Sequence, residues 1–287
     1  MLTDQECSSI IKKNFPELNI VNFKILGNGM YSVACLVNDN IVFKVPIKNE
    51  DKCNDVKKEV FLLKQLENKL SFEIPRILYD KEIDSGRIIG ETLVHGVTYT
   101  QELHDSFDEE TKTDILHQLG RIARELHSVK IDNQEGILSV SDYKDTISVF
   151  HEYFSDDVKK CFSDSDLDRI NKVCDRYEYL STHYPVDPVL VHADLHFCNM
   201  TFDTENKKIV GLLDWATAHL SEPARDMHYY YGEGAKAFLD GYGDNGDPYL
   251  PERQKFQCII NFLSNIGEDI QNNKSPDKNI NKLLSVL

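Results

Sequence analysis

Two carboxylates and an amide stand at short spacing in the second half of the chain. His192, Asp194 and Asn199 form the pattern H-x-D-x-x-x-x-N after an apolar run, and Asp214 ends the next apolar run. Phosphoryl transfer needs such a set, because one Asp must lie beside the attacking hydroxyl while an Asn and a second Asp bind Mg²⁺ against a triphosphate. Asp and Asn also stabilise ordinary turns, but the position of Asp214 at a strand end favours the chemical interpretation.

The same residues follow the order of the protein-kinase signature, in which H-R-D-x-x-x-x-N precedes D-F-G. Asp214-Trp215-Ala216 occupies the D-F-G position. We therefore predict that Asp194 orients the acceptor hydroxyl and receives its proton, and that Asn199 binds the metal together with Asp214. His192 belongs to this catalytic loop and is expected to support it rather than to titrate.

A lysine inside an apolar, strand-like run is an independent indication in the first half of the chain. Lys44 stands within Ile41–Pro46, where its charge is costly unless it is paired, and Glu59 on the following predicted helix is the natural partner. A Lys–Glu pair that orients the α- and β-phosphates is the kinase arrangement. The alternative is that Lys44 reaches solvent at a sheet edge, but the order of the motifs along the chain favours the pair.

Two segments on either side of this lysine are predicted to contact the nucleotide. Gly27 and Gly29 precede Ser32 in the pattern G-x-G-x-x-S, which allows the backbone to approach phosphates. Taken alone, that fragment is more typical of a plain hairpin turn. Thr92 and Val94 lie in the predicted linker between two lobes and are expected to meet the nucleobase.

Acidic and aromatic residues near Asp226 form the predicted acceptor site. Asp226 itself either begins a helix or supports the catalytic loop, and its context favours support. An acceptor that carries ammonium groups would pair with carboxylates and stack on rings. The candidates, each with the alternative of an ordinary surface position, are Tyr229, Tyr230, Tyr231, Glu233, Asp240 and Asp244.

The elements around these motifs divide the chain into two lobes. Residues 1–95 show short alternating runs with one helical segment, whereas residues 96–287 show long helical periodicity, for example at 109–129 and 164–183. The predicted fold class is α+β. It comprises a small β-rich N-terminal lobe that binds nucleotide and a large α-helical C-terminal lobe for catalysis and substrate binding.

The composition restricts the partners of the protein. The chain has 287 residues and a net charge of −16, which argues against nucleic acid and fits poorly with an anionic membrane. The same charge would attract a cationic small molecule, although acidity also serves solubility alone. Seven scattered cysteines without a CxxC pair indicate neither a zinc site nor a disulfide framework. With no signal peptide and no apolar run of membrane length, we expect a cytoplasmic protein, and a monomer by default.

The segment Val189–Tyr230 resembles the phosphotransferase family that contains aminoglycoside, macrolide and choline-type kinases. Its runs VHADLHFCN and GLLDWATAHLSEPARD are similar to the family patterns HGDxxxxN and IDWxxAxxxDPxxD. The runs IVFKVP, LENKLSFEIPRILY and IARELHSVKID resemble the aminoglycoside 2″-phosphotransferases, so the similarity extends over most of the chain. Ala193 stands where the family usually has Gly or Asn, and Glu222-Pro223 replaces Asp-Pro.

The resemblance implies a bilobal, protein-kinase-like fold with Asp194 as the catalytic residue. It also implies that Mg²⁺ binds Asn199 and Asp214. Lys44 and Glu59 would anchor the triphosphate of ATP or GTP. The implied activity is transfer of the γ-phosphate to a hydroxyl of an aminoglycoside, which confers antibiotic resistance.

Other acceptors stay open, because the run from Gly211 to Gly232 looks at least as close to macrolide kinases. A metabolic kinase for choline, homoserine or a sugar is a further alternative. The intact motifs disfavour a non-catalytic pseudokinase. A protein-serine kinase is disfavoured because the stretch from Trp215 to Glu222 is too short for an activation loop.

Overall fold

An antiparallel sheet forms the N-terminal part of the computed structural model, which describes residues 2–29, 32–47 and 53–287. Helix α1 (Asp4–Asn14) precedes the sheet, and α2 (Cys53–Leu66) follows its third strand. Among the described residues the order across the sheet is β1-β2-β3-β5-β4. The strands are β1 (Phe23–Asn28), β2 (Ser32–Val37), β3 (Ile41–Pro46), β4 (Ile77–Ile83) and β5 (Gly86–Thr92).

Alternation of side chains fixes which face of this sheet is buried. In β2 and β3, every second residue packs into one core, namely Val33, Cys35, Val37, Ile41, Phe43 and Val45. Helix α1 begins with a capping box between Thr3 and Glu6 and adds Ile11 to the same core. Because Lys44 follows Phe43 directly, its side chain lies on the opposite face of the sheet.

Helices predominate after the sheet. They are α3 (Gln101–Asp105), α4 (Glu109–Ser128), α5 (Tyr143–Tyr153), α6 (Asp156–Lys159), α7 (Asp164–His183), α8 (Glu233–Tyr242), α9 (Leu250–Gln271) and α10 (Asp277–Val286). Two small antiparallel sheets lie among them, one of β6 (Val97–Thr98), β8 (Met200–Asp203) and β9 (Lys208–Leu212), the other of β7 (Val189–Val191) and β10 (His219–Ser221). The predicted class, β-rich and then α-helical, is confirmed. Within the described ranges, no helix combines the length and the apolar character needed to cross a membrane.

The β-rich and helical parts are joined at Glu73, between α2 and β4. The backbone N–H of Glu73 donates to Val210 O at 2.8 Å, and Leu212 N–H donates to Glu73 O at 3.0 Å. Gly211 lies between them, where an added Cβ would meet Glu73 O at 2.9 Å. Strand β9, which leads to Asp214, is therefore fixed directly against the N-terminal part.

Helices α4 and α8 approach each other closely at two glycines. A Cβ atom at Gly241 would overlap the backbone of His117 in α4, and one at Gly120 would overlap the backbone of Phe238 in α8. The obstructing atoms belong to the backbone, so they cannot move aside as a side chain can. This contact sets the position of α4, whose last turn carries His127.

We expect Gly241→Ala to lower the free energy of unfolding by about 1–3 kcal/mol, because overpacking a rigid contact costs that much. Gly234→Ala, in the same helix, is the matched control. Its added carbon would meet Leu116 Cδ1 at 3.6 Å, an ordinary contact, and alanine favours a helix. Urea unfolding followed by circular dichroism measures both variants, and equal stabilities would contradict the close approach of the two helices.

Candidate active site

A buried ion pair connects β3 with α2. Lys44 Nζ lies 2.6 Å from Glu59 Oε1, and Glu59 is 2% exposed. Burial alone lowers the pKa of Lys44, but attraction to the carboxylates, Glu59 foremost, outweighs it and raises the pKa above its ordinary value. The structure thus brings together the two residues that the sequence pattern paired, and Lys44 is a permanent cation.

A second carboxylate, which was not predicted from the sequence, approaches the same lysine. Glu91 in β5 is 4% exposed, and its Oε1 lies 3.5 Å from Lys44 Nζ. Its Oε2 is buried without a hydrogen-bond partner among the described residues. Burial raises the pKa of Glu91 to about 7, although Lys44 acts in the opposite direction. The sequence feature that could have indicated Glu91 is the position of an acidic residue directly after the apolar run Ile88-Ile89-Gly90.

The predicted catalytic loop is anchored from behind by Asp226. Its Oδ2 accepts the backbone N–H of His192 at 2.9 Å, and its Oδ1 accepts that of Ala193 at 2.6 Å. His127 Nε2 lies 2.9 Å from Asp226 Oδ2, and both side chains are buried. Burial acts to raise the pKa of Asp226, but His127, His192 and their hydrogen bonds lower it below its ordinary value. Asp226 is therefore a buried anion in contact with the loop.

His192 lies behind the loop rather than at its exposed side. Its side chain is fully buried, its Nε2 lies 3.0 Å from Leu213 O, and its ring packs edge-on against Trp215. Nδ1 has no partner among the described residues. His192 thus connects the catalytic loop to the residue before Asp214, a position suited to support.

Two residues of the site adopt the left-handed backbone region that favours glycine. Ala193 has φ of 64° and Asp214 has φ of 60°. This conformation costs an alanine roughly 1–2 kcal/mol, which gives a physical reason for glycine at the Ala193 position of related sequences. The charged hydrogen bond from Ala193 N–H to Asp226 offsets part of that cost.

Both carboxylate oxygens of Asp194 have partners. Tyr229 Oη donates to Oδ1 at 2.6 Å, and Asn199 Nδ2 donates to Oδ2 at 2.7 Å. His196 Nε2 lies 3.5 Å from Oδ2. Burial acts to raise the pKa of Asp194, but these neighbours, His196 first, lower it below its ordinary value. Asp194 is therefore an oriented anion and a weak base. His196 was not predicted from the sequence, and Tyr229 was predicted only to contact the acceptor.

The donor set around Asp214 suits a magnesium ion that is shared with phosphates. Asp214 is exposed, and the Asn199 amide nitrogen is engaged by Asp194, which leaves its carbonyl oxygen for a cation. Among the described residues, no group of three or more His, Cys, Asp or Glu side chains forms a complete metal cage. Mg²⁺ commonly takes only one or two protein ligands and completes its shell with phosphate oxygens and water.

The residues predicted to meet the nucleotide base and phosphates lie at the ends of β1, β2 and β5 or just beyond them. Thr92 N–H donates to Arg76 O at 2.9 Å, so it is not available to a base, whereas Val94 N–H has no partner in the described part of the chain. Gly27 and Gly29 are exposed, and Gly29 N–H donates to Ser32 O at 2.9 Å. Met30 and Tyr31 of this turn lie outside the described residues.

A cavity of about 520 Å³ opens beside the catalytic loop. Of the predicted acceptor residues, Tyr229, Tyr230 and Tyr231 line it. Tyr230 is buried, and its Oη donates to Leu195 O at 2.8 Å. Glu233, Asp240 and Asp244 are exposed elsewhere and do not line this cavity. The structure therefore brings the aromatic candidates to the loop but not the acidic ones.

The chain is similar to known proteins, by a family model and in its fold. A family model described as the phosphotransferase enzyme family matches residues 29–256. The complex of APH(2")-IIia with GDP and kanamycin has a TM-score of 0.80 at 20% identity, covering 98% of this chain and 97% of that chain. Macrolide 2'-phosphotransferase MphH from Brachybacterium faecium has a TM-score of 0.67 at 17% identity, covering 98% of each chain. These similarities confirm the kinase-like fold.

A curated relative matches a shorter region. The uncharacterized protein YcbJ of Bacillus subtilis (strain 168) is 37% identical over 65 residues. The matched region spans 22% of this chain and 21% of the length of that relative.

The unpaired oxygen of Glu91 leads to a prediction about pH. Because the pKa of Glu91 is raised on folding, the folded state binds more protons, so stability falls as pH rises from the ordinary value of 4.5 towards about 7. Glu91→Gln should therefore flatten the decrease in the free energy of unfolding over this range. Glu82→Gln, at an exposed position of β4, is the control and should leave the slope unchanged. Urea unfolding at several pH values measures the slopes; a wild-type slope in Glu91→Gln would contradict the assignment.

Proposed function

This chain belongs to the phosphotransferase enzyme family, and we propose that it transfers the γ-phosphate of ATP or GTP to a hydroxyl group of a small molecule. The observation that carries the proposal is the orientation of Asp194, whose two carboxylate oxygens accept hydrogen bonds from Tyr229 and Asn199. Tyr229 also lines the cavity beside the catalytic loop. Lys44, paired with Glu59, supplies a fixed cation on the facing sheet. Together these features match the needs of phosphoryl transfer.

On the donor side, Lys44 would bind the α- and β-phosphates, and Gly27 to Ser32 would cover them. The backbone N–H of Val94, which has no partner among the described residues, would bind the nucleobase. Because the backbone of the linker reads the base, ATP and GTP both remain candidate donors. Asn199 and Asp214 would bind Mg²⁺, which when present neutralises and aligns the phosphates.

In the transfer step, the acceptor oxygen forms a bond to the γ-phosphorus. The bond from that phosphorus to the β–γ bridging oxygen breaks, and the nucleoside diphosphate leaves with the electron pair. The hydroxyl proton passes to Asp194. Since its pKa is lowered, Asp194 accepts the proton late and contributes chiefly by orientation and electrostatics.

The acceptor expected from sequence, an aminoglycoside, stays a prediction, and with it antibiotic resistance. It is supported by the net charge of −16 and by structural neighbours that include a kanamycin complex. A macrolide is supported by the fold of MphH and by the aromatic lining of the cavity. A metabolic hydroxyl compound fits the same lining. Location in the cytoplasm and a monomeric state likewise stay predictions.

Asp194→Ala tests the proposal directly. We expect kcat for nucleotide-dependent transfer to fall about 10²–10⁴-fold, the usual contribution of an oriented acid–base group, while a non-hydrolysable ATP analogue still binds with Mg²⁺. Asp187→Ala, at an exposed position before β7, is the control and should behave as wild type. The assay couples diphosphate release to a panel of kanamycin, gentamicin, erythromycin and choline with ATP or GTP. Wild-type turnover in Asp194→Ala would refute the role of this residue.

A further inference from the structure

The charge of the cavity beside the catalytic loop points to a particular class of acceptor. We infer that this pocket binds a hydroxyl compound carrying an anionic group, a carboxylate or a phosphate, rather than a polycation. The inference rests on the proposed function, because it takes this cavity as the acceptor site. The inferred acceptor is an anionic hydroxyl compound instead of an aminoglycoside, and the phosphoryl-transfer step is the same.

The cavity is adjacent to the predicted catalytic residue. His196, Phe197 and Cys198 of the loop form one wall, and Tyr229 forms another. Two of these residues contact Asp194: Tyr229 Oη donates to it at 2.6 Å, and His196 Nε2 lies at 3.5 Å. A molecule in this pocket can therefore bring a hydroxyl group to Asp194.

The charged residues of the lining are mostly basic. Lys278 and Lys282, one turn apart in α10, are both in the wall, whereas Asp105 of α3 is the carboxylate in it. Among the described residues, no carboxylate lies within 4.0 Å of either lysine. The chain has 48 acidic and 32 basic residues, so its surface is acidic on average. A pocket with two lysines that have no acidic partner in the described part of the chain departs from this average.

The remaining lining is polar and neutral or aromatic. Asn261, Asn265 and Asn279 come from α9 and α10, and the amide of Asn279 also donates to Asp269 at 2.8 Å. Lys282 Nζ lies over the Tyr231 ring, 5.7 Å from its centre, so the face of the ring attracts the ammonium group and holds it in the lining. Amides and lysines donate hydrogen bonds to carboxylate or phosphate oxygens.

A polycation would find few partners in this lining. Ammonium groups that leave water need carboxylates to compensate, and the acidic candidates Glu233, Asp240 and Asp244 do not line the cavity. Two lysines would instead repel such a ligand. An anionic group beside Lys278 and Lys282 gains attraction, while its neutral hydroxyl can still donate to Asp194.

The sign of the local potential can be measured at Cys198, an exposed thiol in the lining. In the full chain carrying Cys53→Ser and Cys161→Ser, reaction rates are measured with an anionic and a cationic methanethiosulfonate of similar size, each normalised to 2-mercaptoethanol. The cysteines left besides Cys198 are buried: Cys7, Cys35, Cys174 and Cys258. We expect the anionic reagent to react faster at Cys198.

Charge reversal then identifies the source of the potential. In Lys278→Glu/Lys282→Glu the ratio of anionic to cationic rates should fall about 10-fold or more, as the Coulomb energies of nearby charges imply. Lys12→Glu/Lys13→Glu, on the exposed side of α1, makes the same change in net charge and should leave the ratio unchanged. Faster cationic reaction in the starting protein, or equal ratios in both double variants, would overturn the inference.

A second arm compares gluconate and glucose 6-phosphate with kanamycin in the nucleotide-turnover assay. Stimulation by either anion above that by kanamycin supports the inference, and the reverse order overturns it. If none of the three compounds stimulates turnover, the ratio of anionic to cationic reaction rates at Cys198 decides whether the inference holds. Because the thiol chemistry needs no nucleotide, its result is independent of the Asp194→Ala test of the proposed function.

Discussion

The charge of Lys44 can lie inside a sheet only because Glu59 compensates it, and the same carboxylate also reaches the other half of the molecule. Glu59 Oε1 is 2.6 Å from Lys44 Nζ and accepts the backbone N–H of Trp215 at 3.2 Å. Trp215 follows Asp214 directly. One buried oxygen thus positions the cation of the N-terminal sheet and the metal-binding candidate of the helical part. Removing it would leave Lys44 with the more distant carboxylates of Glu91 and Asp214, a costly state for a buried charge.

The catalytic loop has a separate anchor in Asp226, and the two anchors meet at Asp214. Asp226 binds the backbone of His192 and Ala193, and His192 reaches Leu213 O at 3.0 Å. Strand β9 is in turn bonded to Glu73 on the N-terminal side. The acceptor oxygen, the phosphates and the metal would therefore lie between rigid supports, which suits a reaction that depends on positioning. The cavity is built largely from α9, α10 and the tyrosines after Asp226. Its lining residues, and with them the ligand that it binds, can therefore change without disturbing these supports.

Local patterns predicted the core of the site because its members are defined by short spacing. The lysine in an apolar strand, the glutamate one helix later and the H-x-D-x-x-x-x-N loop need no knowledge of packing. Glu91 escaped prediction because its approach to Lys44 depends on β5 pairing with β3. Lys278 and Lys282 escaped for the same reason, since only tertiary packing carries α10 to the loop. Glu233 and Asp240 were chosen for their nearness in sequence to Tyr229, but α8 exposes them away from the cavity.

The central claim is that Lys44 and Glu59 act as one unit in binding a nucleoside triphosphate. Its most direct test is a double-mutant cycle of Lys44→Met and Glu59→Gln, with the affinity for a non-hydrolysable ATP or GTP analogue and Mg²⁺ measured by calorimetry. We predict that each single substitution weakens nucleotide binding about 10-fold or more. The double variant should bind as well as the weaker-binding of the two single variants, because residues in direct contact do not act additively. Lys64→Met, at an exposed lysine of α2, should bind as wild type. Unchanged affinity in the single variants, or losses that simply add, would contradict the claim.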